Sequence, residues 1–272
     1  MAKTIFITGA SRGFGKIWAE TFLKRGDNVI ATARNIEALK DLVEKYPNNI
    51  LALKLDITKK DECFEAIATA QKHFGVIDIL INNAGYGQIG AIEEITEQEA
   101  RNQVETNIFG QLWIFQAIVP VMRKQQSGHI LQVSSALGLV TVPTFGIYNA
   151  TKWAIEGLTE TLASEVSGFG IKVTLIEPNS YDTEFGGPSA TTSKPMQEYD
   201  AVRNAFYATY DPETSGNPMA TSDAILQVTD MENPPLRLIL GKAGFPWIKY
   251  AYENRLATWE EFQSLSVSAH GK

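Results

Sequence analysis

The chain has 272 residues, of which 44% are hydrophobic and 20% charged, as is typical of a folded globular protein. Its 24 basic and 31 acidic residues give a net charge of -7, which disfavours nucleic acid and other polyanions as partners. The single cysteine, Cys63, and three widely spaced histidines predict neither a disulfide nor a metal site, and the short apolar runs indicate a cytoplasmic protein without a membrane span.

Seven apolar runs rich in β-branched residues alternate with segments of helical spacing. The runs lie at 4–8, 28–33, 50–56, 76–82, 129–135, 171–177 and 236–240. Between the first two, Ile17, Trp18, Phe22 and Leu23 recur at an interval that places them on one helix face. Such alternation predicts an α/β fold with a doubly wound parallel sheet of about seven strands and helices on both faces.

Two segments extend this pattern without dividing the chain, so we expect residues 1–272 to form a single domain. The insertion at 186–221 is rich in Gly, Pro, Ser and Thr at its ends and aromatic in its middle, which is compatible with a substrate-side lid or with a solvated loop. The aromatic tail at 245–262 is expected to pack on the domain, and a partner-binding helix is the alternative.

The first strand runs directly into TGASRGFG at 8–15. Gly9, Gly13 and Gly15 come where backbone N–H groups and the positive end of the first helix would meet a pyrophosphate. The spacing is G-x-x-x-G-x-G and not the commoner G-x-G-x-x-G, so the turn alone is equally compatible with a plain strand-to-helix connection.

Two further motifs follow in order: NNAG at 82–85 and YNATK at 148–152. Together with the glycine turn they resemble the TGxxxGxG, NNAG and YxxxK pattern of the short-chain dehydrogenase/reductase family, over about the first 185 residues. The resemblance implies a Rossmann-type sheet, a nicotinamide cofactor and interconversion of alcohol and carbonyl groups. It also implies a homodimer or homotetramer.

Tyr148 and Lys152 are four residues apart, which places them one turn apart on a helix face. An ammonium beside a phenol favours the phenolate, so we expect Lys152 to lower the pKa of Tyr148. By resemblance, Tyr148 is the general acid in reduction and the base in oxidation. Lys152 would also hold the nicotinamide ribose, Ser135 would polarise the carbonyl, and Asn107 would support a proton relay. Ser134 and Ser135 point to opposite faces of a strand, so one of them reaches the site, and we assign Ser135.

The second strand ends at Ala33, where an NAD-preferring relative usually has an acidic residue for the ribose 2′-hydroxyl. Arg34 follows it, and Arg12 lies in the glycine turn. Two guanidinium groups suit a 2′-phosphate, so we predict NADPH over NADH. Surface charges that face solvent are the alternative. The cofactor-binding residues implied by the resemblance are Gly9, Ser11, Arg12, Gly13, Phe14, Gly15, Arg34, Asp56, Ile57, Asn83, Ala84, Gly85, Tyr148, Lys152, Pro178, Asn179 and Thr183.

After the sixth strand the chain reads EPNSYDTEF, where relatives commonly have a Pro-Gly pair. Asn179 replaces the glycine while Thr183, which would hold the carboxamide, is kept. Because Asn tolerates the left-handed backbone region, we expect the turn to survive with a reshaped pocket floor.

Apolar and aromatic residues are the candidates for the substrate pocket, namely Val142, Phe145, Phe185, Phe206 and Tyr207. They favour a hydrophobic ketone, aldehyde or alcohol over a sugar, as in the carbonyl reductase and hydroxysteroid or retinol dehydrogenase branch that this part resembles. Two alternatives stay open: a nucleotide-sugar epimerase or dehydratase, and a catalytically silent NADPH-binding regulator.

Overall fold

The predicted strands form one parallel sheet. A computed structural model describes residues 2–183, 190–209 and 212–271. The seven strands found in this sheet among them are β1 Thr4–Ile7, β2 Asn28–Ala33, β3 Ile50–Lys54, β4 Ile79–Asn82, β6 Gly128–Val133, β7 Ile171–Pro178 and β9 Arg237–Leu240, in the order β3-β2-β1-β4-β6-β7-β9. All neighbouring strands are parallel. Two short strands, β5 Gln88–Ile89 and β8 Thr191–Thr192, pair separately. This confirms the predicted fold class.

Helices cover both faces of the sheet. They are α1 Gly13–Arg25, α2 Lys40–Lys45, α3 Lys60–Phe74, α4 Glu97–Val104, α5 Gln111–Gln125, α6 Gly146–Val166, α7 Asp200–Ala208, α8 Thr221–Asp230, α9 Gly244–Glu261 and α10 Gln263–Ser268. Across the described ranges, none of these helices combines the length and the apolar character needed to cross a membrane.

Each sheet face has its own buried core, which is why the strands read as continuous apolar runs. In β1, Ile5 and Ile7 pack with Trp18 and Phe22 of α1, whereas Phe6 between them faces the opposite core. All five side chains are fully buried. Alternation of side chains along a strand therefore places apolar residues in both layers.

Several predicted strands were too long, and near the ends of two of them polar side chains take over the hydrogen bonding. Gln125 binds both the N–H and the carbonyl of Ile77, at 3.1 and 3.0 Å, so β4 begins only at Ile79. Just after the end of β3, the Glu62 carboxylate accepts the backbone N–H of Asp56 at 2.9 Å. Both segments are apolar enough to resemble strand, but at Ile77 and Asp56 the backbone hydrogen bonds go to side chains.

The order in which strands are added to the sheet changes direction after β3. It first builds β1, β2 and β3 toward one edge and then returns to place β4 on the other side of β1. In a doubly wound sheet this switch leaves a crevice at the carboxyl ends of the two central strands. The glycine turn and the NNAG segment lie on either side of it.

The glycine turn is packed directly against the segment after β4. Gly9 and Gly13 have positive φ angles of 70° and 52°, which favour glycine. A Cβ on Gly15 would lie 2.2 Å from the Gly9 carbonyl oxygen, so a side chain there is excluded. The Asn83 amide donates to the carbonyls of Thr8 and Gly9 at 2.9 and 3.2 Å, which fixes the turn beside β4.

The described part of the 186–221 insertion is attached to the 88–99 segment. Strand β8 pairs with β5, and Arg203 of α7 contacts the buried Glu94 carboxylate at 2.5 Å. The Glu94 carboxylate also accepts the backbone N–H of Met196 at 2.7 Å. These contacts hold α7 over the carboxyl edge of the sheet.

The tail packs on the domain through its first half. Ile248 of α9 is buried, and Arg255 donates to the Leu139 carbonyl at 2.8 Å. From residue 256 to residue 271 every residue is exposed. The prediction that the whole aromatic tail packs on the domain is therefore wrong for its second half, where Trp259 and Phe262 face outward.

Buried His129 makes the protein sensitive to acid. Its Nε2 lies 3.0 Å from the Thr174 hydroxyl, which itself donates to Pro235, and burial lowers the His129 pKa to about 3. The unfolded chain takes up this proton near pH 6.5, so the free energy of unfolding falls as the pH decreases from about 6.5 to 3. Between about pH 7 and pH 5, we expect the free energy of unfolding of His129→Gln to fall by about 2 kcal/mol less than that of wild type. Urea unfolding at both pH values checks this, with exposed His73→Gln as the control, and equal losses in all three proteins would contradict it.

Because Gly15 is closely packed, replacing it with a larger residue should destabilise the protein. Gly15→Ala places a methyl group against the Gly9 backbone and should lower the free energy of unfolding by about 1–3 kcal/mol. Gly157→Ala is the matched control, because its Cβ would meet nothing within 4 Å in the middle of α6, and it should stabilise the protein by up to about 1 kcal/mol. Denaturant titration measures both. Equal effects of the two substitutions would contradict the packing at Gly15.

Candidate active site

A cavity of about 1680 Å³ opens at the carboxyl edge of the sheet, over the switch between β1 and β4. It brings together the glycine turn, the ends of β2, β4, β6 and β7, the start of α6 and helix α7. Its lining includes every residue expected to bind cofactor or substrate oxygen except Gly15, which packs beneath the turn: Gly9, Ser11, Arg12, Gly13, Phe14, Arg34, Asp56, Ile57, Asn83, Ala84, Gly85, Ser135, Tyr148, Lys152, Pro178, Asn179 and Thr183. Asn107 is buried outside this lining.

Ser135 and Tyr148 meet at the cavity wall. Ser135 follows β6, and Tyr148 lies in the first turn of α6, with its side chain buried. The Ser135 side chain hydrogen-bonds the Tyr148 phenol and also donates to the Pro178 carbonyl at 3.5 Å. Ser134 interacts with Glu156 instead, so the two serine hydroxyls are directed to different partners.

Lys152 ties α6 to the end of β6. Its Nζ donates to the Val133 carbonyl at 3.0 Å and lies 5.7 Å from the centre of the Tyr148 ring. The side chain is 7% exposed, so its charge is held in a nearly water-free setting. Tyr148 and Lys152 therefore share one helix face, as their spacing predicts.

Burial controls the protonation of both side chains. It raises the pKa of the Tyr148 phenol above its ordinary value, and the Ser135 hydrogen bond offsets part of that effect. Burial lowers the pKa of Lys152 to about 8, against the opposing influence of the Glu156 carboxylate. The expectation that Lys152 lowers the Tyr148 pKa is wrong for the chain by itself, because loss of water around the phenol dominates. At neutral pH the phenol carries its proton.

Asn107 connects the NNAG segment to α6. It lies in a π-helical turn, Glu105–Gly110, between α4 and α5, a distortion often found at functional sites. Its side-chain amide donates to the Tyr86 carbonyl at 3.0 Å and to the Thr151 hydroxyl at 3.2 Å, and its oxygen accepts the Tyr86 N–H at 3.2 Å. The Asn107 side chain therefore holds α6 and the cavity wall in register.

The glycine-turn end of the cavity suits a phosphate group. Helix α1 begins at Gly13 and has no side-chain cap at Arg12, so its first N–H groups are available to a ligand. A Cβ on Gly13 would meet nothing within 4 Å, which leaves space over the turn. Arg12 and Arg34 are exposed along the cavity wall, and Ala33, the last residue of β2, is buried. These features fit a dinucleotide pyrophosphate with a further phosphate nearby.

The opposite wall of this end is formed by the segments after β3 and β4. One carboxylate oxygen of Asp56 accepts the N–H and the hydroxyl of Thr58, at 3.0 and 2.8 Å, which fixes its orientation at the lining. Ile57 beside it is buried. The Thr8 hydroxyl accepts the N–H groups of Asn83 and Ala84, at 2.8 and 2.9 Å, so the NNAG segment is held by the glycine turn.

Asn179 keeps an ordinary backbone conformation. Within the described part of the chain, Gln126 and Thr144 are the only non-glycine residues with positive φ. The expectation that Asn179 depends on the left-handed region is therefore wrong. Its N–H donates to the Leu240 carbonyl at 2.9 Å, and its Cβ lies 3.2 Å from where a Cβ on Gly241 would stand. Asn179 instead fills space against the turn after β9.

Aromatic residues lead from Tyr148 to α7. The Phe145 ring centre is 6.2 Å from that of Tyr148 and 6.0 Å from that of Phe206, both in edge-on arrangements. Val142 and Tyr207 line the same wall. The predicted Phe185 lies outside the described residues.

Sequence reasoning missed two aromatic residues of the wall and a strained residue beside it. Tyr181 contacts Phe14 edge-on at 5.3 Å, and Trp247 of α9 lines the cavity. Both were visible as aromatic residues, in EPNSY and in the tail, but no spacing rule linked them to the site. Thr144 has a φ of 64°, a strained conformation for a β-branched residue, directly before Phe145. No sequence signal indicates that conformation.

Comparison with known proteins gives the family. Residues 3–194 match the family model described as short chain dehydrogenase. Oxidoreductase BOA17 of Botryotinia fuckeliana is 37% identical over 99% of this chain and 100% of its own length. A 3-ketodihydrosphingosine reductase of Bacteroides thetaiotaomicron is 36% identical over 87% of each chain.

Solved structures agree in fold. A short-chain dehydrogenase from Streptomyces avermitilis has a TM-score of 0.92 at 37% identity and covers 99% of both chains. ElxO with NADP bound has a TM-score of 0.75 at 28% identity, covering 88% of this chain and 96% of its own. The extent of these matches, the sheet order and the three motifs around one cavity show that the chain is an oxidoreductase of the short-chain dehydrogenase/reductase family.

Proposed function

We propose that this protein uses NADP(H) to interconvert a hydrophobic ketone or aldehyde and its alcohol. The observation that carries the proposal is the buried, protonated Tyr148 phenol, hydrogen-bonded to Ser135 at the wall of a cavity with an aromatic side. A proton donor and a second hydrogen-bonding hydroxyl at one point are what carbonyl reduction requires of the protein.

The residues divide the work as follows. NADPH, when bound, supplies a hydride to the carbonyl carbon. Tyr148 donates its proton to the carbonyl oxygen, and Ser135 hydrogen-bonds that oxygen and orients it. Lys152 adds positive charge beside the developing phenolate and would hold the nicotinamide ribose. Asn107 keeps α6 in place through Tyr86 and Thr151. A phenol that is protonated at neutral pH is in the form that a general acid for reduction needs.

Two arginine side chains support a preference for NADP over NAD as the cofactor. Arg12 and Arg34 lie on the wall beside the glycine turn, and the end of β2 offers Ala33 in place of a carboxylate for a ribose hydroxyl. Guanidinium groups bind phosphate with two parallel hydrogen bonds. A solved relative, ElxO, holds NADP. At the remaining expected contacts, Asp56 would bind the adenine amino group and Thr183 the carboxamide.

The substrate side favours an apolar carbonyl compound. Val142, Phe145, Phe206 and Tyr207 present hydrocarbon to the cavity, and such a wall holds a substrate by its apolar part. One relative is named for the reduction of 3-ketodihydrosphingosine, a ketone. We assign α7 the role of a substrate-side lid, anchored by the Arg203–Glu94 contact. By family resemblance, the protein would act as a homodimer or homotetramer.

Two other functions have less support from the site. A silent NADPH-binding regulator has no need for Ser135, Tyr148 and Lys152 in contact around one cavity. A nucleotide-sugar epimerase shares the YxxxK pattern, but it must bind a polar sugar where this chain presents phenylalanine. Product analysis separates a reductase from an epimerase.

Removing the Tyr148 hydroxyl should abolish turnover and leave cofactor binding. Tyr148→Phe keeps the ring contacts with Phe145 but loses the proton donor, so kcat should fall by about a hundredfold or more. NADPH absorbance with a panel of aryl and alkyl ketones measures turnover, and NADPH fluorescence measures binding. Tyr250→Phe, on the exposed side of α9, is the control and should behave as wild type. Unchanged kcat in Tyr148→Phe would refute the assignment.

Removing Arg34 should affect the phosphorylated cofactor selectively. Arg34→Ala loses a charge-assisted contact to the 2′-phosphate, so the Kd for NADPH should rise about tenfold while that for NADH stays nearly constant. Titration calorimetry with both cofactors tests this. Arg101→Ala, an exposed arginine of α4 paired with Glu97, is the control. An equal loss for NADPH and NADH would mean that Arg34 does not contact the 2′-phosphate.

A further inference from the structure

A cluster of charged side chains lies behind Lys152. Glu156 follows Lys152 by one turn of α6, Glu177 is in β7 just before Pro178, and Arg237 opens β9. Glu156 is 6% exposed and Glu177 is fully buried. Neither carboxyl group lines the cavity, and the catalytic steps described above use neither.

One guanidinium serves three carboxyl groups. Arg237 Nε lies 3.3 Å from Glu156 Oε2 and 3.3 Å from Glu177 Oε1, and its Nη2 contacts Glu160 Oε2 at 2.8 Å. Glu160 is mostly exposed and can be solvated by water. Glu156 and Glu177 are not solvated, so Arg237 alone cannot neutralise both of them.

The more deeply buried carboxyl group, Glu177, also lacks a hydrogen-bond donor among the described residues. Among the residues that the structure describes, both oxygens of Glu177 receive no hydrogen bond from a donor group. Glu156 accepts from Arg237 Nε at 3.3 Å and interacts with the Ser134 hydroxyl. The Glu156 and Glu177 side chains are within hydrogen-bond reach of each other. A proton held between them is the donor that this geometry is missing, because buried polar atoms without partners are costly.

The electrostatics agree with this reading. Burial and the neighbouring Glu156 raise the pKa of Glu177 to about 8, and burial also raises that of Glu156. The hydrogen bond between them favours the proton on Glu177 and the charge on Glu156. That charge in turn raises the pKa of Lys152.

We propose that Glu156 and Glu177 share one proton in the folded protein, and that this positioning pair acts through Lys152 by keeping one fixed negative charge behind the ammonium. The second part rests on the proposed function, whereas the shared proton does not. Glu177 then donates, Glu156 stays ionised, and Arg237 orients both. Lys152 is thereby kept protonated in a setting where burial alone favours its neutral form.

The other titratable groups around Lys152 come from α6, from the sheet and from the cavity wall. On α6 these are the neutral phenol of Tyr148 and the carboxyl groups of Glu156 and Glu160, and from the sheet they are Glu177 and Arg237. Charged side chains that line the same cavity from other segments are Arg12, Arg34, Asp56, Lys59, Glu105 and Asp182. Of these groups, Glu156 is the carboxylate whose charge raises the pKa of Lys152.

The shared proton can be observed without any substrate. Infrared difference spectra at pH 7 between H2O and D2O should show the carbonyl band of a protonated carboxylic acid in wild type. The band should be lost in Glu177→Gln and kept in Glu160→Gln, the matched exposed control.

Urea unfolding adds a second readout of the shared proton. Since the folded state binds this proton up to about pH 8 and the unfolded chain releases it near 4.3, the free energy of unfolding falls as the pH rises through that range. Glu177→Gln should remove that fall.

The effect on Lys152 is read from the pH profile of kcat. In Glu156→Gln the alkaline limb should move down by about one pH unit, because the ammonium has lost its opposing charge. Glu156→Asp should restore part of the shift. Glu177→Gln, whose amide can donate to Glu156, should keep the wild-type profile, as should Glu160→Gln.

Two outcomes overturn the proposal. Absence of the protonated-acid band in wild type refutes the shared proton, whatever the activity. A kcat profile in Glu156→Gln that is lower but unshifted in pH shows that Glu156 is merely structural. If no ketone is reduced while the band is present and lost in Glu177→Gln, the proposed function has failed and the shared proton stands.

Discussion

The contact between the Lys152 ammonium and the Val133 carbonyl is the interaction on which the site depends. It joins the first turns of α6 to the end of β6 at 3.0 Å, in a place with almost no water. Since Tyr148 lies one turn earlier on α6 and Ser135 two residues after Val133, the same contact fixes the distance between the two hydroxyl groups. A charged group can be kept there only if its partners are arranged around it.

Burial then determines which protons are present. The phenol of Tyr148 keeps its proton because a phenolate would be poorly solvated, and the ammonium of Lys152 titrates near 8 for the same reason. The fold offsets the cost of the buried ammonium with a carboxylate one helical turn behind it. A parallel sheet allows this arrangement because β6, β7 and β9 are neighbours, so Val133, Glu177 and Arg237 meet α6 from adjacent strands.

Much of the fold could be predicted from the sequence because its signals are local. Ile5, Phe6 and Ile7 are buried on alternate faces, so the apolar run reads directly as a two-sided strand. The order of the three motifs also placed Tyr148, Lys152 and Ser135 at one cavity. Strand ends were less accurate, because Gln125 replaces the ladder at Ile77 from 48 residues away.

What could not be predicted depends on packing between distant segments. The pKa of Tyr148 follows from its burial, and a spacing of four residues carries no information about burial. Glu156 and Arg237 are 81 residues apart, and no pattern in the chain joins them. The strained Thr144 backbone likewise accompanies a contact between distant segments, in which the Gly90 N–H donates to the Thr144 carbonyl at 2.8 Å.

The central claim, that the protein transfers hydride to a carbonyl carbon while Tyr148 supplies the proton, is tested most directly by label transfer. NADPH carrying deuterium at the transferring position of the nicotinamide would be incubated with a hydrophobic ketone, and the product analysed by mass spectrometry and NMR. The account predicts an alcohol with one deuterium on the carbinol carbon for each NADPH oxidised. Oxidation of NADPH without a labelled alcohol, or a product labelled at another carbon, would contradict it.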